Sequence, residues 1–177
     1  MATMNTSTWH THFSGLARYH VWATRRLLEA VSRVSAEDYQ RDVGLFFKSI
    51  HGTLNHMLVA EHLLWYARFA KGTSPVLALN TEVEPHRERL AQALNGGAAN
   101  WSHLMVNLPA ERFDSQLDYQ TSKGVPQSLP FAATLAHVFN HATHHRGQIT
   151  AALTAMGHPC PELDMVYFLQ TEQASKA

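Results

Sequence analysis

The chain has 177 residues, 45% of them hydrophobic and 16% charged, with a formal net charge of zero and a pI of about 7.3. That length supports one domain, 1–177, with its own apolar core, and the balanced charge argues against a nucleic-acid partner or an anionic membrane surface. Cys160 is the only cysteine, which excludes an internal disulfide and a cysteine-built zinc site.

No stretch is long and apolar enough to span a bilayer, and Met1 to Trp9 lacks the apolar core of a signal peptide. Cytoplasmic residence is the expectation. The first helix is predicted over residues 8–33, where Phe13, Leu16, Ala23, Leu27 and Ala30 carry the helical period. A polar break follows, with Ser35 placed to cap, then an irregular approach from Gln40 to Gly44.

The second helix is predicted over 46–70, ended by Lys71-Gly72 and a turn at Thr73 to Pro75. One buried stripe is Phe46, Ile50, Leu54, Met57, Leu64 and Trp65. A second, of smaller residues, is Gly52, His56, Ala60, Leu63 and Ala67, which suits close approach by another helix. Glu61 falls in the first stripe, where a carboxylate is costly unless paired or hydrogen-bonded. It is either half of a buried Glu–Arg or Glu–His pair, or it supports a functional site as an acid–base group or as a partner of a ligand.

The third helix is predicted over 82–107, with Pro85 in its first turn and a kink or split at Asn95 to Gly97. Residues 113–130 change character and alternate weakly around Lys123-Gly124, as a β-ribbon or an extended crossover would. A connection of that length lets the fourth helix enter a bundle in a direction a tight turn would not allow. After Gly157 the prolines stop that helix, and Pro161 can start a short fifth one.

The fourth helix, 131–156, carries the chemistry. Its apolar series runs Phe131, Leu135, Val138, Ala142, Ile149, Ala152 and Met156, and His145 fills the one gap. At roughly 100° per residue, His145 lies ~40° from the centre of the stripe, His141 ~80°, His137 ~120° and His144 ~140°. His141 and His145 therefore point inward, and i, i+4 spacing puts their Cβ atoms about 5–6 Å apart, close enough to share one ion. His137 and His145 are ~12 Å apart along the axis, so a third ligand must come from another segment. A single buried histidine is more often a hydrogen-bonded core residue than a ligand. The helix has no Asp or Glu, and Ala142 follows His141, so the His-Glu-x-x-His protease arrangement is absent. On the second helix the period permits His51, His56 or His62 as the third ligand.

Four motifs stand in order along nearly the whole chain: Tyr19 to Thr24; Ser49 to His56 followed by Glu61 and Trp65; His137 to Gln148, with Asn140-His141 and His145-Arg146-Gly147-Gln148; and Gly157 to Asp164. In these the chain resembles the DinB/YfiT-like metalloenzymes. The resemblance implies an all-α, antiparallel four-helix bundle with a long crossover and a short C-terminal helix, often a homodimer. It implies a divalent ion, nickel or zinc, on one histidine of the second helix and two of the fourth. By position these are His56, His141 and His145, and the choice of His56 rests on the resemblance. Members often carry Asn or another polar residue where His20 stands.

Three neutral imidazoles leave a divalent ion its full charge and an open position, the pattern of catalytic sites. Such a site can lower the pKa of bound water or bind a thiolate. Glu61, Gln148 and Asn140 are candidates to hold the ring N–H groups, and Glu61 is the one side chain assigned a catalytic role. The family resemblance implies a thiol-dependent S-transferase, with a low-molecular-weight thiol beside a small-molecule substrate; the chemistry of an open site equally allows a metal-hydroxide hydrolase. The alternative is a metal-binding stress-response protein without turnover.

Overall fold

The computed structural model describes residues 8–175, so Met1 to Ser7 of the leader reading lie outside the described residues. Its elements in chain order begin with α1 (Thr8–Val31) and α2 (Ala36–Gln40). Next comes α3 (Ile50–Met57), which continues through a π-helical segment, Leu58–Trp65, into α4 (Tyr66–Lys71) as one rod. Then follow α5 (Arg87–Asn107), a 3-10 turn (Ala110–Asp114), the strands β1 (Gln116–Gln120) and β2 (Pro126–Pro130), α6 (Phe131–Ala155) and α7 (Met165–Ala174). The fold is an all-α four-helix bundle of α1, the α3–α4 rod, α5 and α6; α5 and α6 each pack against both of the others. The β1–β2 hairpin, antiparallel with Gln116 opposite Pro130, is the crossover, and Gly124 at φ 76° makes its turn.

Three boundaries differ from the sequence reading. The rod begins at Ile50, capped by Ser49, and Phe46 is 83% exposed rather than part of a buried stripe. Here the chain turns back on itself through Lys48, at φ 69°, before the helix starts. The third helix begins at Arg87 because buried Asn55 holds the preceding segment extended: its Oδ1 accepts from Val83 N and Glu84 N, and its Nδ2 donates to Glu84 O. The last helix begins at Met165, four residues beyond Pro161, because Tyr19 Oη and Arg26 Nε take the carbonyls of Leu163 and Glu162. At Asn95 to Gly97 helix α5 runs on unbroken.

The core has two halves. One is largely aliphatic, around Leu27, Leu54, Leu90, Ile149 and Leu153. The other is aromatic, around Phe13, Trp101, Phe113, Phe131 and Phe139. Each long helix passes from one half to the other, and buried polar residues gather at the change: His20 on α1, Glu61 and His62 on the rod, His145 and Arg146 on α6. Burying polar groups in the middle of a bundle is costly unless they bond one another, so this layer marks the site.

Candidate metal centre

His56 on α3 and His141 and His145 on α6 meet in that layer. The Nε2 atoms of His56 and His145 each lie 3.1 Å from His141 Nε2. Bonds of ~2.0–2.1 Å to a tetrahedral ion leave neighbouring ligand atoms about 3.3 Å apart, so the spacing fits one shared ion. The opposite ring nitrogens decide what those atoms are. His56 Nδ1 donates to Leu79 O at 2.8 Å, His141 Nδ1 to Glu61 Oε1 at 3.1 Å, and His145 Nδ1 to Gln148 Oε1 at 2.8 Å. Each neutral ring then carries its proton on Nδ1 and presents a bare lone pair on Nε2. Three acceptors facing one another cannot bond among themselves, and a cation satisfies all three. These residues could hold a divalent metal ion.

At two of the three rings burial favours the neutral form. Burial, and next the neighbouring His141, pushes His145 down to about 3. Burial also lowers His56, against the opposing pull of the Leu79 carbonyl. Neutral imidazoles are what a metal binds. The Phe47 ring stacks on His56 with centroids 3.8 Å apart and planes 14° from parallel, which fixes the face of that ring. Phe47 reaches it because its carbonyl lies where a Cβ on residue 52 would stand, and residue 52 is glycine.

The π-helical segment places the carboxylate. Five residues along an α-helix would leave Glu61 ~140° around the axis from His56. The i→i+5 turns after Met57 close part of that gap, and Glu61, with none of its side chain exposed, lies behind His141. The Glu–Arg alternative does not form with Arg68, seven residues on, which sits over the rings of Trp65 and Tyr119 and donates to Gln120 O. Asn140 holds none of the three rings and lines a cavity beside α1.

Of the other histidines on these helices, His137 packs on Trp65, and His51 bonds Tyr39 Oη. His144 is exposed with its ring against His145. Periodicity had left His51 and His62 open as ligands; only His56 reaches the α6 pair. Phe47 and the Leu79 carbonyl were missed, and Gly52 was the one local sign of a close contact. A cavity of about 580 Å³ adjoins the site, with Phe47, Phe46, Gly52, Asn55 and Leu79 in its wall. Among the described residues no helix is long and apolar enough to cross a membrane.

Three comparisons bear on these features. The family model for the DinB family matches residues 3–176. Protein DinB of Bacillus subtilis (strain 168) is 26% identical over 166 residues, 92% of this chain and 96% of that one. The structure of YfiT from Bacillus subtilis, described as a probable metal-dependent hydrolase with an unusual four-helix bundle topology, superposes with a TM-score of 0.63. It is 14% identical, and the match covers 90% of this chain and 94% of that one.

Proposed function

The chain belongs to the DinB family, and from that premise we propose that it is a divalent-metal enzyme acting on a small molecule, with His56, His141 and His145 as ligands. One observation carries the reading: the Nε2 atoms of His56 and His145 each lie 3.1 Å from that of His141, while each Nδ1 proton is held elsewhere. Three imidazoles suit zinc or nickel. When bound, the ion supplies Lewis-acid activation of a water or thiol nucleophile and of the substrate's electrophilic group.

The chain's own residues orient and shield. Glu61, fully buried and bonded to His141, positions that ring rather than touching substrate. Leu79 and Gln148 do the same for the other two. Phe47 stacks on His56, and the adjoining cavity has both apolar walls (Phe46, Leu79) and polar ones (Lys48, Asn55, Asn80, Glu82). Cys160 is exposed on the segment between α6 and α7, against its neighbour's carbonyl, and this reading takes an external water or thiol as the nucleophile. Hydrolysis is the reaction class we favour, in line with the description of the similarly folded YfiT; thiol transfer uses the same centre.

The test is a metal-reconstituted protein, purified without a histidine tag, assayed on esters and amides and on electrophiles with a low-molecular-weight thiol. Metal-dependent turnover without thiol supports the hydrolase, and thiol-dependent turnover supports the transferase. Stoichiometric metal with no turnover on either panel overturns the enzyme reading in favour of a metal-binding protein.

A further inference from the structure

A second cluster lies in the same buried layer: His20, Glu61 and His62. Glu61 spends Oε1 on His141. Among the described residues its Oε2 has no hydrogen-bond partner, and neither has His20 Nε2 nor either nitrogen of His62. Three of them, Glu61 Oε2, His20 Nε2 and His62 Nε2, lie close together. His20 Nε2 is 3.8 Å and His62 Nε2 3.9 Å from Glu61 Oε2, and the three lie within 4.8 Å of one another.

By residue type the cluster could be a second metal site, but two observations oppose it. Arg146 Nη1 lies 3.0 Å from His20 Nδ1. A guanidinium has donors only, so His20 Nδ1 accepts and the ring proton sits on Nε2, the atom an ion would need bare. The separations are also too long: ligands of one ion stand about 3.3 Å apart. They suit a molecule about 2.8 Å from each polar atom. His62 packs against the backbone of Gly97, where a Cβ would collide with it.

We infer that the cluster holds one internal water molecule and that Arg146, through His20, closes it to a second metal ion. The water accepts from His20 Nε2–H, donates to Glu61 Oε2 and makes its third bond with His62 Nε2, as buried waters with two to four polar partners do. The result is a chain from Arg146 through His20, water and Glu61 to His141, in which both carboxylate oxygens are bonded. None of this requires the metal centre to be catalytic.

The test is a high-resolution crystal structure of the full chain loaded with zinc alone, with anomalous data. A solvent peak bonded to His20, Glu61 and His62 without anomalous signal supports the inference. Anomalous signal there, or an empty cluster, overturns it. Absence of the ion at His56, His141 and His145 would count against the proposed function and leave the cluster readable by itself. Nitrogen NMR of metal-free, 15N-histidine-labelled wild-type protein is the second measurement, with His20 assigned through His20→Asn. Protonated Nε2 and bare Nδ1 are expected, and the reverse overturns the lock. In Arg146→Met, His20 should lose its single tautomer; an unchanged pattern means that Arg146 does not set it. The wild-type spectrum decides even if that variant fails to fold.

Discussion

The two histidine clusters share a layer, a carboxylate and near-complete burial, yet they are opposite in character. At His56, His141 and His145 every proton is drawn outward by an acceptor, so lone pairs face in. At His20 the outer neighbour is a donor, Arg146, so the proton faces in. Residue type therefore does not decide which cluster can take a metal; the groups behind the rings do. Glu61 serves both clusters, one oxygen to each.

The largest expected break is His141→Ala. Removing the shared ligand should weaken zinc binding by more than about 100-fold, beyond the range for partners behind a ligand. His144→Ala, at an exposed position, should retain it. Isothermal titration of the metal-free proteins measures both, and unchanged affinity in His141→Ala would sink the ligand assignment. Glu61→Gln comes next. An amide can still accept from His141 but has lost the charge, so zinc should bind about 10–100-fold more weakly at unchanged stoichiometry.

Gly97→Ala tests the other cluster. Alanine inside a helix is usually favourable over glycine by about 1 kcal/mol. Here the new methyl meets the His62 ring, and overpacking of about 1–3 kcal/mol should win. Urea denaturation should show a net loss that largely disappears when His62→Ala is added, and full additivity of the two changes would refute the contact.

The smallest effect is pH dependence. His20 is held well below its usual value by burial and then by Arg146, and burial also lowers His62. Below about 6.5 the unfolded chain takes up protons that these folded rings refuse. Their stabilisation is present above that pH and declines as pH falls. Metal-free protein should be less stable at pH 5.5 than at 7.5, and His62→Asn should flatten the difference.

Much of this was legible in the sequence. The α6 stripe with its one polar gap identified His145 as inward-facing, and i, i+4 spacing added His141, because a regular helix makes direction a function of position. Glu61 stood out as a carboxylate in an apolar stripe. The weak alternation over 113–130 left a β-ribbon and an extended crossover both open, and the hairpin is the first of these. What periodicity misses is local: Phe46 lies outside the helix, which starts at Ile50, and the segment after Pro161 stays extended because α1 side chains hold its carbonyls.

By itself the sequence determined the helices, the inward pair on α6 and the need for a third ligand from elsewhere, since these follow from periodicity along one rod. Periodicity left three histidines of the second helix open and the resemblance chose His56; the tertiary structure brings that one against the α6 pair. It also decided which nitrogen of each ring faces in, through a loop carbonyl at Leu79, a carboxylate turned by π-helical winding and an arginine on the far side of His20. A tautomer is set by whatever stands behind the ring, and that neighbour can lie more than a hundred residues away along the chain, as Arg146 does from His20.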